Sequence, residues 1–345
     1  MRLRHGELKS VMEKVADSTL YYPQYQYKAW GYGEWIAMEG LLSAAEICGN
    51  ARYLGFVEGL VNGWISKREE LVPADHVSPG VALVRLYRLT GQEKYIRRAL
   101  SLAGLLLKSP RSSRGARLLR PDAEPNVYVD CIYSDPTLFC ELGITTGDKK
   151  WFIEAVNYTQ EFLDVLTDPE SSLLYHGYSD NSHSPIGLLW GRGVGWAVLG
   201  LVDVLANLSK ELPGREELLA QMWHMSKSLK NLQAADGNWH TVLDLPESYL
   251  ENSVAAFVFT SFSKAIRHEL LDTTFARCAE KSWNAVVKAL KPDGQILVSE
   301  ATPAGDLLLY NSLKLGVYPW GQGAVLRAVE EECIARGLFD VSSRH

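Results

Sequence analysis

A sequence motif typical of two consecutive helices recurs three times in the first half of the chain and limits the folds that the chain can adopt. The segments "ICGNARYLGFVEGL", "LTGQEKYIRRAL" and "TTGDKKWFIEAV" each pass from an apolar stretch through a glycine and a few polar residues into an amphipathic stretch led by an aromatic residue. A glycine in this place is typical of a helix C-terminus, and the spacing of the apolar residues is typical of helices. The repeat therefore predicts a fold built from helical hairpins.

Two kinds of helix alternate along the chain. Strongly apolar helices are predicted to begin near six positions: Glu34, Pro79, Pro136, Val194, Ser253 and Gln322. Amphipathic helices are predicted near residues 6–20, 51–66, 92–107, 149–166, 215–232 and 272–290. Because helices that are apolar on all sides need burial, we expect an all-α protein, an (α/α)6 barrel of six inner and six outer helices. Short strands, for example in "QILVSE", are expected at one end.

The connections between these helices differ in length. Those from an inner to the next outer helix are short, whereas those from an outer to the next inner helix are long: 67–78, 108–135, 167–193, 233–252 and 291–321. All the long loops must lie at one end of the barrel, which is where binding sites are usually built. No linker rich in Pro, Gly or Ser divides the chain, so we expect one catalytic domain over residues 1–345.

Composition excludes several classes of partner. The net charge is −6, with 41 acidic and 35 basic residues spread along the chain, so no basic surface is available for nucleic acid. No apolar run approaches the roughly 18 residues of a membrane span, and the first residues show helical periodicity instead of an apolar signal. We therefore expect a soluble, cytoplasmic protein. Its five cysteines lack the spacing of a disulfide framework or zinc site, and neither metal nor cofactor is expected.

Two aspartates occupy matching places in successive long loops. Asp75 lies in "VPADHVSPG" and Asp130 in "VYVDCIYSDP", and each precedes a dipeptide, "SP" or "DP", that is typical of a helix start. Neither aspartate is then needed as a cap, and a pair of carboxylates in a cleft is suited to acid/base chemistry on sugars. Ordinary loop aspartates remain the alternative. The apolar surroundings of Asp130 favour a raised pKa, which a nearby helix N-terminus would oppose.

Aromatic, imidazole, amide and guanidinium side chains accumulate in the same loops. The octapeptide "LWGRGVGW" at 189–196 combines glycines, which allow close approach, with an arginine fork and two indole faces. The candidates for sugar binding are Trp30, His176, Tyr178, Trp190, Arg192, Trp196, Gln233, Trp239 and His240. Each one alone could serve packing, but together they are typical of a carbohydrate cleft.

Seven segments in order resemble a known family. They are "DHVSPGVALVRLYRLTGQEKY", "VDCIYSDPTLFCELGITTGDKKW", "YHGYSD", "WGRGVGW", "QAADGNWHTVLD", "YLENSVAAFVF" and "YPWGQGAVLRAV". The chain resembles the unsaturated glucuronyl and rhamnogalacturonyl hydrolases, glycoside hydrolase families 88 and 105, with family 105 nearer. The resemblance implies the barrel fold, Asp130 as general acid/base and Asp75 as its supporting carboxylate. It also implies that His176, Arg192 and Trp196 bind the uronate.

The chain departs from the family pattern at two places. Val194 stands where the family commonly has Asn, and the position usually written Glu-Thr/Ser-Ser reads Glu251-Asn252-Ser253. The loss of an amide near the sugar leaves the identity of the substrate more open than the reaction.

The reaction implied by the resemblance removes a 4,5-unsaturated uronic acid from the non-reducing end of a lyase-generated oligosaccharide, with rhamnogalacturonan fragments as the expected substrates. The vinyl ether is protonated at C4, water adds at C5, and the hydrated ring then opens and releases the rest of the oligosaccharide. A monomer or weak homodimer is expected. The alternatives are an inverting glycosidase, an epimerase with His176 or His240 as bases, or an inactive carbohydrate-binding relative.

Overall fold

The computed structural model describes residues 4–21, 31, 33–67, 79–119 and 124–340. Two predicted site residues, Asp75 and Trp30, lie outside these ranges.

Six apolar helices form a closed inner ring. They are α2 (Glu34–Cys48), α4 (Gly80–Thr90), α6 (Cys131–Thr146), α8 (Gly191–Leu205), α10 (Asn252–Arg267) and α13 (Pro319–Ala335). Each packs against the next, and α13 packs against α2, so the ring is closed. Left-handed glycines end three of these helices: Gly49 (φ 67°), Gly91 (φ 68°) and Gly147 (φ 71°). These are the glycines of the repeated sequence motif. They let the chain turn from an inner helix toward the next outer helix, because glycine adopts the left-handed conformation without steric cost.

Six amphipathic helices surround the ring. They are α1 (His5–Leu20), α3 (Ala51–Ser66), α5 (Glu93–Lys108), α7 (Lys150–Leu166), α9 (Arg215–Asn231) and α11 (Ala276–Ala289), the last preceded by a 3₁₀ turn (Thr273–Phe275). Each buries its apolar stripe on a neighbouring inner helix. The prediction of an all-α (α/α)6 barrel is therefore confirmed for the described residues. None of the helices described is long and apolar enough to cross a membrane.

Three inner helices begin earlier than predicted. The helix expected to start near Pro136 starts at Cys131, and α8 and α13 start at Gly191 and Pro319. The dipeptide Asp135-Pro136 was expected to mark the start of α6. Instead the carboxylate of Asp135 forms a buried ion pair with Arg117, with Nε 2.6 Å from Oδ2. That expectation was wrong because the aspartate pairs with Arg117, 18 residues earlier in the connection that leads into α6, and no pattern in neighbouring residues indicates this pairing.

Short strands and one short helix lie in the long connections. Strands β1 (Asn126–Tyr128), β2 (Gly177–Ser179) and β3 (Ser184–Ile186) form an antiparallel sheet in that order. Strands β4 (Val298–Ser299) and β5 (Leu315–Gly316) pair with each other, and the helix α12 (Leu307–Ser312) lies between them in sequence. The strand expected in "QILVSE" is β4. The three-stranded sheet and α12 were not predicted because elements this short have no measurable periodicity.

Candidate functional site

Asp130 lies at the rim of the barrel, between β1 and α6. It occupies the N-cap position of α6, and its side chain makes no capping hydrogen bond. The residue is 3% exposed. The segment before it is held in place because the backbone N–H of Val129 donates to the carbonyl oxygen of His176 at 3.0 Å. The rim thus carries a buried carboxyl group on a rigid backbone.

His176 comes from the next long connection and lies directly before β2. Its ring stacks on Trp190, with the ring centroids 4.2 Å apart and the planes 21° apart. Nδ1 is 2.7 Å from the hydroxyl oxygen of Tyr310. Burial, and secondarily the charge of Arg192, lower the pKa of His176 to about 3. His176 is therefore a neutral imidazole at any physiological pH.

Tyr310, which the sequence did not point to, lies on α12 and is buried. Its hydroxyl oxygen accepts a hydrogen bond from the backbone N–H of Leu188 at 3.3 Å. Burial raises the pKa of Tyr310 to about 12, and the charge of Asp130 contributes to this rise. Tyr310 therefore lies within electrostatic range of Asp130 and contacts the ring of His176. The only sequence signal was the presence of a tyrosine in a long loop, which is too weak to single it out.

Arg192 is wholly buried and is bound by the protein itself. Nη1 donates to the carbonyl oxygen and the hydroxyl of Ser299 at 3.0 and 2.7 Å. Nη2 donates to the carbonyl oxygen of Glu300 at 2.8 Å and to the hydroxyl of Thr302 at 2.7 Å. Glu251 Oε1 is 3.9 Å from Nη1. The guanidinium thus anchors the start of the loop that carries α12.

The two tryptophans of the octapeptide have different surroundings. Trp190 contacts both the imidazole of His176 and the guanidinium of Arg192, whose Cζ lies 4.7 Å from the ring centroid. Trp196 is wholly buried, and its ring packs against Trp35 and Phe257 at centroid distances of 5.3 and 4.4 Å. These three residues lie in the first two turns of α2, α8 and α10. Trp196 therefore belongs to an aromatic floor beneath the rim.

Gly193, in the first turn of α8, shows why this helix begins with glycines. A Cβ on Gly193 would lie 2.5 Å from Cγ1 of Val129 and 2.7 Å from the ring of Trp190. Both distances are shorter than atoms tolerate, so α8 packs directly against the segment that leads to Asp130. At this position the glycine serves close packing inside the protein. Val194, the departure from the family pattern, is wholly buried beside it.

Two predicted site residues bond to the outer layer. The side-chain amide of Gln233 donates to the carbonyl oxygens of Gly237 and Cys278 and to the hydroxyl of Ser282. The indole N–H of Trp239 donates to the carbonyl oxygen of Leu229 at 2.8 Å, and its ring is wholly buried. Neither side chain has a recorded contact with the cluster of His176, Trp190, Arg192 and Tyr310.

Two further candidates lie on the loops of the rim. Tyr178 is buried on β2, with the guanidinium carbon of Arg114 5.5 Å from its ring centroid. His240 is half-buried, and its Nδ1 is bonded to the carbonyl oxygen of Ser248.

The second departure from the family pattern connects loops of the protein. Asn252 accepts a hydrogen bond from Asn238 at 3.0 Å and donates one to the carbonyl oxygen of Leu297 at 2.8 Å. Glu251 caps α10 by accepting from the backbone N–H of Ser253.

Within the described residues, no group of three or more His, Cys, Asp or Glu side chains could hold a metal ion. The rim thus combines the buried carboxyl group of Asp130 with a histidine and a tyrosine that burial keeps neutral, and all three can hydrogen-bond to a bound molecule.

Comparison with known proteins finds relatives along nearly the whole chain. The model of Glycosyl Hydrolase Family 88 matches residues 5–333. Unsaturated rhamnogalacturonyl hydrolase YesR of Bacillus subtilis is 25% identical over 333 residues, 93% of each protein. An unsaturated 3S-rhamnoglycuronyl hydrolase of an Alteromonas species is 24% identical over 242 residues, 67% of this chain and 57% of that protein. The crystal structure of a possible GH105 family member from Salmonella enterica, 22% identical, has a TM-score of 0.87 and covers 98% and 96% of the two chains.

Proposed function

Since the chain belongs to glycosyl hydrolase family 88, we propose that it removes a 4,5-unsaturated uronic acid from the non-reducing end of oligosaccharides. The observation that carries the proposal is the placement of Asp130, a buried carboxyl group at the rim directly after Val129, whose backbone bonds to a histidine that burial holds neutral. A histidine with a pKa near 3 has no proton to give near pH 7, so we assign the proton transfer to the carboxyl group of Asp130.

The reaction begins with protonation of the vinyl ether. Asp130 gives its proton to C4, and the positive charge that forms at C5 is shared with the ring oxygen. Asp130, now a carboxylate, takes a proton from water as the water oxygen bonds to C5. Because each proton lost by Asp130 is regained from water, one carboxyl group suffices as acid and then base.

Release of the sugar follows from the hydrated ring. The hydroxyl group at C5 and the ring oxygen form a hemiketal, which opens to a ketone at C5 and leaves a hydroxyl group on C1. C1 then carries both this hydroxyl group and the glycosidic oxygen, which makes it a hemiacetal. The hemiacetal breaks its bond to the glycosidic oxygen, which forms an aldehyde at C1 and frees the rest of the oligosaccharide. No displacement at C1 is needed, in contrast to the two-carboxylate routes of ordinary glycosidases.

Burial of the imidazole argues against an epimerase that uses His176 as its base. His176 has a pKa near 3 and would accept a proton poorly near neutral pH. The Nδ1 atom of His240 bonds to the carbonyl oxygen of Ser248, which requires a hydrogen on Nδ1 and leaves Nε2 able to accept a proton, so His240 stays open as a base. An inverting glycosidase needs a second carboxylate on the opposite side of the sugar. Asp75 is the predicted second carboxylate, so this alternative is decided by the assay below.

We further propose that the sugar next to the unsaturated uronate is rhamnose. Both curated relatives described above have names that pair an unsaturated uronic acid with rhamnose. In this proposal Asp130 is catalytic, Asp75 supports it, and His176 binds the uronate. Trp196 closes the floor of the site and Arg192 holds the loop above it.

The test is the ultraviolet absorbance of the conjugated double bond. Lyase products of rhamnogalacturonan, of a rhamnose-containing sulfated polyuronate and of a rhamnose-free polyuronate are incubated with the protein. Loss of absorbance in step with release of a new reducing end is expected for the first two substrates. Release of a reducing end with the absorbance retained would show an ordinary glycosidase, and no change on any substrate would favour a binding protein.

A further inference from the structure

The tyrosine on α12 gives the rim histidine a defined chemical form. We propose that Tyr310 is a positioning residue: its hydroxyl donates to Nδ1 of His176 and fixes the imidazole as the tautomer that carries hydrogen on Nε2. His176 then presents an N–H donor to an oxygen atom of the bound sugar. The identity of that sugar rests on the proposed function, whereas the tautomer does not.

The direction of the hydrogen bond follows from the other partner of Tyr310. A phenol hydroxyl has one hydrogen to donate and lone pairs to accept with. The oxygen accepts from the backbone N–H of Leu188 at 3.3 Å, and among the described residues its other hydrogen-bond contact is with Nδ1 of His176. Its pKa of about 12 keeps the hydroxyl protonated. The hydrogen therefore points along the remaining contact, the 2.7 Å distance to Nδ1 of His176.

The tautomer of His176 follows in turn. A neutral imidazole carries one hydrogen, on one nitrogen or the other. Because Nδ1 accepts from Tyr310, the hydrogen must be on Nε2. Among the described residues, no hydrogen-bond partner of Nε2 is found, so this N–H is available to a ligand. Stacking on Trp190 holds the plane of the ring, and the hydrogen bond sets its orientation in that plane.

The surrounding chain is shaped to keep this pair together. Gly187 has φ 71°, and a Cβ there would lie 2.7 Å from the hydroxyl oxygen of Tyr310 and 2.8 Å from Cβ of His176. Only glycine fits, in both conformation and space. On the other side, Asp306 caps α12 by accepting from the backbone N–H of Leu309 at 2.9 Å, and Arg192 anchors the start of the same loop. Two connections distant in sequence thus meet at one hydrogen bond.

The tautomer is measured by ¹⁵N NMR on the full-length protein labelled at its eight histidines. The His176 signals are assigned by their loss in His176→Gln. We expect a protonated-type Nε2 and an unprotonated-type Nδ1, both unchanged between about pH 5 and 8 because the pKa lies well below this range. In Tyr310→Phe the bond that fixes the tautomer is lost. We therefore expect the hydrogen to be shared between Nδ1 and Nε2, so that both ¹⁵N signals move toward intermediate shifts. A wild-type ring with hydrogen on Nδ1, or one that titrates near pH 6.5, would overturn the proposal.

Kinetics test whether the N–H is used. On the substrate found by absorbance, Tyr310→Phe is expected to lower kcat/KM about 10-fold, as for the loss of one well-placed hydrogen bond. His176→Gln, whose amide reaches the position of Nε2, should retain more activity than His176→Asn, whose amide reaches only that of Nδ1. Equal activity of these two variants, or wild-type kcat/KM in Tyr310→Phe, would contradict the proposal.

The control is Tyr158→Phe. Tyr158 is also buried, its hydroxyl donates to the carbonyl oxygen of Leu106, and it lies on the outer helix α7. This variant should lose a similar amount of stability and keep the wild-type kcat/KM and His176 spectrum. If the wild-type protein consumes no unsaturated substrate, the proposed function fails, while the NMR spectrum still decides the tautomer.

Discussion

The two ends of the barrel bury arginine in different ways. At the rim, Arg192 donates to carbonyl and hydroxyl oxygens of one loop, and the carboxylate of Glu251 lies 3.9 Å away. At the opposite end, Arg327 pairs with three carboxylates: Glu39 at 2.8 Å, Asp203 at 3.0 Å and Glu330 at 3.2 Å. The first arginine shapes a loop around a site, and the second holds inner helices to each other.

The charged end contains a cavity of about 160 Å³. Five basic and five acidic side chains line it: Arg85, Arg88, Lys264, Arg267, Arg327, Glu39, Glu141, Asp203, Glu330 and Glu331. Charges in equal number satisfy each other and leave little net field for a ligand. At the rim, by contrast, burial keeps both the imidazole of His176 and the phenol of Tyr310 neutral, and Tyr310 lies within electrostatic range of Asp130. The two ends therefore differ in how a buried arginine is compensated: by carboxylates at the charged end, and by carbonyl and hydroxyl oxygens at the rim.

The largest contrast is expected between two aspartates near the start of α6. Asp130→Asn should lower kcat by about 10³-fold, since it removes the proton donor, and leave the melting temperature nearly unchanged. Asp135→Asn should destabilise the protein by about 3 kcal/mol, because it leaves the buried Arg117 without its ion-pair partner, and keep the turnover of the folded fraction. Steady-state kinetics and thermal unfolding of both variants measure this. Full turnover in Asp130→Asn would remove it from the mechanism.

The next contrast is between the two arginines. Arg327→Met should lower the free energy of unfolding by about 3–5 kcal/mol, because three carboxylates lose their shared cation, with kcat/KM unchanged in the folded fraction. Arg192→Met should lower kcat/KM as well, because it releases the loop that carries Tyr310. Denaturant unfolding and kinetics below the unfolding range separate the two effects. A folded Arg327→Met enzyme without activity would show that the charged end also serves the reaction.

The smallest expected effect is a pH dependence at the charged end. Burial raises the pKa of Glu39 to about 7, outweighing the attraction of Arg327 and the hydrogen bond from Tyr133. Between pH 4.5 and 7 the folded protein therefore holds a proton that the unfolded chain releases. The unfolding free energy should fall by up to about 3 kcal/mol as the pH rises through this window.

Glu39→Gln isolates this contribution. Glutamine cannot titrate, so the difference in unfolding free energy between wild type and variant should change across the same pH window and stay constant above it. Denaturant unfolding at several pH values measures the difference. A constant difference from pH 4.5 to 8 would show that the folded-state pKa of Glu39 is close to its ordinary value.

The architecture could be predicted because hydrophobic periodicity and glycine caps are local signals. Each apolar helix and each glycine at a helix end can be recognised from nearby residues alone. Because the apolar helices must be buried, they are expected to form an inner ring. The start of α6 was misjudged because Asp135 pairs with Arg117, which lies in a different part of the long loop. Such a partner is set by the folded chain and leaves no trace in nearby residues.

The site was predicted less completely than the fold. Asp130 and His176 were singled out by residue type and loop position, and their roles stay predictions. The partners of Arg192 lie more than a hundred residues away in sequence, and Tyr310 lies on a six-residue helix without periodicity. The roles of Asp75 and Trp30, the single domain and the oligomeric state stay predictions.

The most direct measurement follows the reaction in D₂O by ¹H NMR from its first minutes. If Asp130 protonates the vinyl ether, the vinylic signal at C4 disappears in step with release of the neighbouring sugar, and the new keto acid carries deuterium at C4. Incubation of the isolated product in D₂O without enzyme corrects for exchange next to the ketone. Release of that sugar with the vinylic C4 proton retained in a free unsaturated uronic acid would contradict the account.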